Sequence, residues 1–263
     1  MTRPLRLALN GASGRMGCAL RDLLAADDRV ELVHAVVSRG SAHDGQQVSG
    51  TRGGSLCYAH DWIQAPPIDV IVVFSSPDAL RLALEHCVSH GVALVSGTTG
   101  LDAELETRLD AAAGRIAVLR AANFSLGVAV LTRLLRTAAA ALPAWDLEII
   151  EAHHGRKRDA PSGTALALGE AAAGARGTTL EAVSASSRAG ERVDGSIGFA
   201  VVRGGDIVGE HQALLIGRGE RLELGHRAND RSIFARGALH AAHWLAGRPP
   251  GRWQLDDAIA PSG

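Results

Sequence analysis

The sequence predicts an α/β protein: a Rossmann-like doubly wound parallel sheet joined to a smaller α+β region. Its first half alternates apolar strand-like runs with amphipathic helical stretches, the pattern of parallel strands connected by crossover helices. A glycine-rich turn, GASGRMG, follows the first apolar run. From Ser196 onward, three strand-like runs succeed one another between Gly-rich turns, which favours a second domain of another class.

The elements of the first half can be placed in order. Strands are predicted at Leu5–Asn10, Val30–Val37, Asp69–Phe74, Val92–Ser96 and Ile116–Leu119, and helices at Arg15–Ala26, Pro77–His90 and Asp102–Ala113. The run Asp69–Phe74 is apolar almost throughout, as a strand buried on both faces requires. Pro77 suits the first turn of a helix.

The second half follows another pattern. Helices are predicted at about Ser125–Ala141, from near Ser162, and at Ile233–Ala246, and strands at Asp146–Glu151, Ile197–Arg203, Ile207–Ile216 and Arg221–His226. The Ala- and Gly-rich stretch Ala171–Gly190 is predicted to be a flexible connection.

Composition limits the function classes. Hydrophobic residues make up 46% of the 263 residues but aromatic residues only 3%, so the cores should be aliphatic. The formal net charge is −1, which gives no general field to attract nucleic acid or an acidic membrane surface. No apolar run has the length of a membrane span, and the N-terminus has no signal-peptide pattern. The three widely spaced cysteines have no CxxC spacing and suit a reducing, cytoplasmic location.

The GASGRMG turn predicts a dinucleotide site. Gly11 allows a tight turn, Gly14 lets the backbone approach a pyrophosphate, and Gly17 permits close packing of helix on strand. The N-terminus of the next helix then offers N–H groups to the phosphates. The spacing is GxxGxxG rather than GxGxxG, and backbone requirements alone also produce such glycines.

The end of the second strand bears on the choice of cofactor. Dinucleotide folds usually place an acid there for the ribose hydroxyls, but this chain has Ser38 and Arg39. An arginine without a neighbouring carboxylate suits a 2′-phosphate and favours NADPH over NADH. The alternative is that Arg39 is an ordinary solvated loop charge.

A second concentration of polar chemistry is EAHHGRKRDAPSGTA, residues 151–165. His153 and His154 are adjacent at a strand end, so they should point to opposite sides and cannot easily chelate one metal. Lys157 is close enough to share a pocket with one of them as a cation or proton source. Ser162 or one of its neighbours should cap a helix in which Gly163 and Thr164 supply N–H groups to a carboxylate.

Other histidines do not predict a metal site. His86 and His90 have i,i+4 spacing, but no third ligand or HExxH pattern accompanies them. We interpret them, and His240 and His243 in the last helix, as helix-surface residues. No metal is expected.

Six segments together resemble the dihydrodipicolinate reductase family of bacterial lysine biosynthesis. They are GASGRMG, SGTTG at 96–100, AANFSLGV at 121–128, EAHHGRKRDAPSGTA, GERVDGSIGFA at 190–200 and RGGDIVGEH at 203–211. The most specific of them is EAHH followed by KxDAPSGT. The resemblance implies an NAD(P)H-dependent reduction of 4-hydroxy-tetrahydrodipicolinate, a small dicarboxylate.

The resemblance also implies roles for individual residues. His153 would be the proton donor or acceptor, Lys157 the proton donor that completes the reduction, and His154, Gly163 and Thr164 the substrate-binding residues. The implied cofactor contacts are Gly11, Ala12, Ser13, Gly14, Arg15, Met16, Arg39, Gly97, Thr98, Thr99, Ala121, Ala122, Asn123 and Phe124.

Domain organisation and assembly follow from the same resemblance. Residues 1–124 and 234–263 would form the dinucleotide-binding domain, and residues 125–233 an inserted domain for substrate binding and oligomerisation, in a homotetramer. The segment before Ile197 is short for the family, and Ser75 and Ser76 stand where a Thr-Arg pair can occur. Two alternatives stay open: another Rossmann reductase of a small carboxylate, or an NADPH-binding regulator without turnover.

Overall fold

A computed structural model of the protein describes residues 3–51, 56–184 and 190–259. The described residues fall into two compact units, one within Met1–Leu126 and Ser232–Gly263 and the other within Gly127–Arg231. None of the helices in these ranges has the length and hydropathy needed to cross a membrane.

The first unit is a parallel sheet flanked by helices. Its elements are β1 (Leu5–Asn10), α1 (Arg15–Leu24), β2 (Val30–Val36), β3 (Tyr58–Ala59), β4 (Val70–Val73), α2 (Pro77–His90), β5 (Ala93–Ser96), α3 (Ala103–Ala113) and β6 (Ala117–Arg120). In the described residues the strand order is β11-β6-β5-β4-β1-β2-β3, with β11 being Gly251–Trp253 from the end of the chain. The order reverses between β1 and β4, where doubly wound sheets open a crevice for ligands.

The core of this unit is aliphatic because β4 is buried on both faces. All four residues of β4 are buried, and Leu80, Ala83 and Leu84 of α2 pack in the same cluster. Helix α2 begins at Pro77, as the sequence predicts, and Ser76 before it accepts a hydrogen bond from the backbone N–H of Ala79.

The second unit is an α+β layer. Between α4 (Leu126–Ala141) and the last helix lie β7 (Asp146–His153), α5 (Gly163–Ala175), α6 (Leu180–Val183), β8 (Ile197–Arg203), β9 (Gly209–Ile216) and β10 (Arg221–Ala228). The strand order is β10-β9-β7-β8, with β8 parallel to β7 and the other pairs antiparallel. Buried leucines and alanines of α4 and α5 cover one face of this sheet.

The remaining elements complete the first unit. Helix α7 (Ser232–Leu245) contacts α1 and β5, strand β11 pairs in parallel with β6, and α8 (Leu255–Ala258) ends the described chain. Helix α7 lies close to the backbone at Phe124: a Cβ on Gly237 would be 1.7 Å from the carbonyl oxygen of Phe124. The predicted fold class is therefore confirmed.

One prediction is wrong: Ala171–Gly190 is not a flexible connection over its described part. Helix α5 continues to Ala175, and α6 occupies Leu180–Val183. The reason is physical, since alanine is the best helix former and the small side chains of Ala172 and Ala173 are buried in the core. Residues 185–189 of this stretch, which include the start of the short segment before Ile197, lie outside the described residues.

Candidate functional site

The glycine-rich turn lies at the carboxyl edge of the parallel sheet, at the switch point. Strand β1 ends at Asn10 and α1 begins at Arg15, with Gly14 as its N-cap. Both Gly14 and Arg15 are exposed, and the first turn of α1 has no acidic residue. The positive end of the helix dipole is therefore not neutralised locally, which favours an anion there.

Two of the three glycines are required by close backbone contacts. Gly11 has φ +85°, and a Cβ there would lie 2.2 Å from the carbonyl oxygen of Phe74, directly after β4. A Cβ on Gly17 would lie 2.3 Å from the carbonyl oxygen of Gly11. At Gly14 the nearest atom outside its chain neighbours would be 3.3 Å away, so packing alone does not require glycine there.

The other predicted cofactor contacts lie at the same edge. Gly97, Thr98 and Thr99 follow β5, and Ala121–Phe124 follow β6. The two loops are tied together, because the backbone N–H of Ala121 donates to the carbonyl of Ser96 over 3.1 Å. A Cβ on Gly97 would overlap the ring of Phe74, whose centroid is 5.4 Å from that of Phe124.

Two hydroxyl groups at this edge are buried without partners. Among the described residues, the Thr98 Oγ1 and Ser75 Oγ atoms have no hydrogen-bond partner, although both atoms are shielded from solvent. An unpaired buried hydroxyl is costly and is usually satisfied by a ligand or a water. Arg39 is exposed, three residues beyond the end of β2. The sheet edge thus has the features of a dinucleotide site.

In the second unit, polar side chains converge where β7 ends. His153 is the last residue of β7, and its Nδ1 lies 2.6 Å from Oε2 of Glu151, which is fully buried. Arg203 of β8 donates to both oxygens of Glu151 at 2.7 Å. Register explains this grouping, since Arg203 pairs with His153 across the two parallel strands.

Lys157 lies in the loop after β7 and is the only lysine in the chain. Its ammonium donates to both carboxylate oxygens of Asp159, at 2.8 and 2.7 Å, and this hydrogen bond lowers the pKa of Asp159. The Lys157 side chain is about one-fifth exposed. It is therefore held as an ammonium group that an entering anion can reach.

His154 lies among cationic groups. Its backbone N–H donates to the carbonyl of Ile207 over 2.8 Å, which anchors the loop. Desolvation lowers the pKa of His154, and the nearby charges of Arg231, Arg156 and Lys157 lower it further. These positive surroundings favour binding of an anionic ligand over a cationic one.

The first turn of α5 contains no acidic residue. Ser162 is the N-cap, as the sequence predicts: its Oγ accepts from the backbone N–H of Ala165 over 3.2 Å. Gly163 and Thr164 are the first two residues of the helix, where backbone N–H groups have no intrahelical acceptor. A carboxylate is well accommodated at such a helix end.

Three residues of this cluster were not predicted from the sequence. Glu151 is two positions before His153 on one strand, so period-two alternation was a signal that places both side chains on the same face. Arg203 and Arg231 are distant in sequence and become neighbours only through strand pairing and folding. No local pattern marks either arginine.

The remaining histidines have structural roles. His90 Nδ1 lies 3.0 Å from the carbonyl oxygen of His86, and their rings stack at 4.1 Å between centroids. His240 Nε2 lies 2.9 Å from the carbonyl oxygen of Ala258. No group of three metal-binding side chains occurs among the residues that the structure describes.

Comparisons with known proteins agree with these features. The family model described as dihydrodipicolinate reductase, N-terminus, matches residues 5–124, and that described as dihydrodipicolinate reductase, C-terminus, matches residues 127–259. A protein of Xanthomonas campestris named 4-hydroxy-tetrahydrodipicolinate reductase is 50% identical over 258 residues, covering 98% of this chain and 99% of that protein. One of Caulobacter vibrioides with the same name is 45% identical over 265 residues, covering 98% of both.

A solved structure extends the likeness to the fold. Dipicolinate-bound dihydrodipicolinate reductase from Paenisporosarcina sp. superposes with a TM-score of 0.79 at 23% identity, covering 98% of this chain and all of that chain. Given two matching family models and relatives of about half-identical sequence along nearly the whole chain, this protein belongs to the dihydrodipicolinate reductase family.

Proposed function

We propose that this protein reduces 4-hydroxy-tetrahydrodipicolinate to tetrahydrodipicolinate with NADPH or NADH, in the biosynthesis of diaminopimelate and lysine. The observation that carries the proposal is the cluster at the end of β7. It combines a histidine held by a buried glutamate, a single lysine and a helix N-terminus with no acidic residue in its first turn, all within residues 151–165. Relatives that carry the reductase name cover the full chain.

The unit with the parallel sheet is the proposed dinucleotide-binding domain, with boundaries near residues 124 and 234. The close contacts of Gly11 and Gly17 and the unpaired hydroxyl of Thr98 support binding of a dinucleotide at its carboxyl edge. The contacts would come from residues 11–16, 97–99 and 121–124, with Arg39 toward the ribose. A dihydronicotinamide held there would supply the hydride for the reduction.

The second unit, near residues 125–233, is the proposed substrate-binding domain. Two carboxylates need two cationic or N–H-rich positions, and this unit offers His154 with its neighbouring cations and the first N–H groups of α5, at Gly163 and Thr164. Adding hydride to a conjugated cyclic imine raises electron density that must be protonated. Lys157, as an ammonium, would stabilise that density and donate the proton, and His153 would donate or accept a proton at its ring nitrogen.

Arg39 gives a prediction about cofactor preference. If it contacts the 2′-phosphate, Arg39→Ala should raise the KM for NADPH by about 10-fold or more, since hydrogen bonds to charged groups contribute about 1.5–3 kcal/mol. The KM for NADH should stay within about threefold. Initial rates with both cofactors measure this. An equal effect on both cofactors would mean that Arg39 does not contact the phosphate.

We also propose a homotetramer in the cytoplasm. Strand β8 is an edge strand with exposed Val201 and Val202, and such an edge favours pairing or burial between copies. Sedimentation equilibrium should give the mass of four chains, and Val202→Glu should shift it toward smaller species. A monomer at micromolar concentration would contradict the assembly. The free thiols of Cys18, Cys57 and Cys87 support a reducing compartment.

Turnover itself is the test of function. Freshly formed aldol product of pyruvate and aspartate semialdehyde is supplied with NADPH, and loss of reduced nicotinamide absorbance is followed for the intact protein and for His153→Ala. We expect steady oxidation that falls by about 10²-fold in the variant. Binding of NADPH without oxidation would support a regulator, and oxidation only with another small acid would support a different reductase.

A further inference from the structure

The buried carboxylate of Glu151 is the least expected charge in the second unit. Its side chain has no solvent exposure, and a charge in the interior is tolerated only when it is paired and fully hydrogen-bonded. Four donors meet it. Oε1 accepts from the backbone N–H of Ser162 at 2.9 Å and from Arg203 at 2.7 Å, and Oε2 accepts from His153 at 2.6 Å and Arg203 at 2.7 Å.

This arrangement decides where the proton on His153 resides. Burial would raise the pKa of Glu151, but the hydrogen bonds from Arg203, His153 and Ser162 outweigh burial and the pKa lies below its usual value. The carboxylate is therefore ionised and can only accept. Because Nδ1 of His153 faces an acceptor, Nδ1 carries a hydrogen and Nε2 is left as the ring atom that exchanges protons with a ligand.

Arg203 has its terminal nitrogens engaged. Nη1 donates to Glu151 and to the carbonyl of Val202 at 2.8 Å, and Nη2 donates to Glu151 and to the carbonyl of Asp159 at 2.8 Å. Asp159 is also the partner of Lys157. Arg203 thus fixes the carboxylate that holds His153 and, through one backbone carbonyl, the loop that carries the lysine.

The other end of the His153 ring is held by packing. A Cβ on Gly209 would lie 3.1 Å from Nε2, so glycine there leaves space for the ring. The His211 ring lies 5.2 Å away, edge to face. Burial lowers the pKa of His211 to about 4, so His211 is neutral near pH 7 and adds no second positive charge. Within the described residues, no hydrogen-bond partner reaches Nε2.

We propose that Glu151, held by Arg203, is the positioning residue that fixes the Nδ1–H tautomer of His153 and directs its Nε2 to the substrate. The expected effect on kcat rests on the proposed function, whereas the assignment of the tautomer does not. Glu151 and Arg203 do not touch substrate in this scheme. They act only through the orientation and proton placement of His153.

The test converts the carboxylate of Glu151 into an amide, in which an NH₂ group replaces one oxygen. Arg203 donates at both oxygen positions, but Oε1 also faces the fixed backbone N–H of Ser162, whereas Oε2 faces the His153 ring, which can change its tautomer. In Glu151→Gln we therefore expect the amide oxygen at the Oε1 position, with the NH₂ group facing Nδ1 of His153 and the contact with Nη1 of Arg203 lost. The amide then donates to Nδ1, and the ring hydrogen moves to Nε2. We expect kcat to fall by about 10²- to 10⁴-fold, as when a triad carboxylate becomes an amide, while the substrate KM and the NADPH Kd change by less than about threefold.

A second readout does not depend on activity. Nitrogen NMR of the isotope-labelled histidine rings should show Nδ1 protonated and Nε2 bare in the intact protein, with the two environments exchanged in Glu151→Gln. Glu151→Asp, which keeps a carboxylate, should retain the original tautomer and recover part of kcat. Glu148→Gln is the matched control, because Glu148 lies on the same strand and pairs with Arg192 but does not contact His153. It should change neither readout.

The outcomes separate the two proposals. If the intact protein shows no reductase turnover while its His153 ring has the Nδ1–H form that Glu151→Gln reverses, the function fails and the tautomer assignment stands. If a folded Glu151→Gln protein keeps kcat within about threefold, or keeps the original nitrogen shifts, the positioning role is overturned. Unfolding of Glu151→Gln would move the test to Arg203→Met. Without the guanidinium, burial favours the neutral Glu151 carboxyl, whose O–H donates to Nδ1, so loss of kcat together with loss of the Nδ1–H form is expected. Retention of both overturns the role.

Discussion

Lys157→Arg is expected to bind the dicarboxylate substrate nearly as well as the original protein and yet to reduce it at least about 10²-fold more slowly. The guanidinium keeps the positive charge, so the substrate KM should change little. It does not release a proton near neutral pH, because its pKa exceeds about 12. A large fall in kcat with a small change in KM separates proton donation from charge.

Lys157→Ala removes both properties and should raise the substrate KM in addition to lowering kcat. Arg158→Ala is the matched control, since Arg158 is an exposed cation one residue away and no proposed role depends on it. Steady-state kinetics on the three variants, with NADPH affinity measured separately, gives the comparison. Equal kcat in Lys157→Arg and the original protein would show that charge alone is required at this position.

The proton-donor role of Lys157 can also be tested by chemical modification. Because Lys157 is the only lysine, reductive methylation can modify only its ammonium group and the N-terminal amine. A dimethylated amine keeps its charge and one proton but is bulkier, so we expect slower turnover that saturating substrate protects against. The composition agrees with this proposal: apart from the histidines, every other basic side chain is arginine, which suits ion pairs, and the one lysine occupies the position to which we assign proton donation.

Sequence was sufficient for the parallel sheet because its signals are local. Buried strands such as β4 are continuous apolar runs, and the start of α2 is marked by Pro77. The short strands β3 and β11 were missed because two or three residues show no periodicity. Both exist through pairing with β2 and β6, a long-range interaction that propensity does not encode.

The candidate site divides in the same way. His153, His154 and Lys157 could be named from one segment, since their chemistry is dense within fifteen residues. Arg203 could not, because its relation to His153 is a strand register between positions far apart in sequence. The Ala171–Gly190 prediction failed for a related reason: composition suggested flexibility, but burial of Ala172 and Ala173 against the sheet stabilises a helix there.

Gly17→Ala should have the largest effect in the parallel-sheet unit. The added methyl group would lie 2.3 Å from the carbonyl oxygen of Gly11 and 2.6 Å from the backbone of Ala12, and backbone atoms cannot rotate away. Helix α1 would have to move from the turn that precedes it. We expect the free energy of unfolding to fall by about 1–3 kcal/mol, and NADPH affinity to fall by about 10-fold or more because the turn that would hold the phosphates is displaced.

Gly14→Ala distinguishes binding from packing in the same turn. Gly14 has φ −74°, which alanine adopts freely, and its Cβ would meet only the Gly11 carbonyl oxygen, at 3.3 Å. Its thermal stability should therefore be close to that of the original protein, while NADPH affinity falls if the pyrophosphate approaches this backbone. Gly174→Ala, on an exposed helical position with no atom within 4 Å of the new Cβ, is the control for adding a methyl group. Calorimetry measures the stability of these variants, and fluorescence titration measures their affinity for NADPH. If Gly17→Ala changed neither stability nor affinity, the position of α1 would not depend on the close contact between Gly17 and the Gly11 carbonyl oxygen.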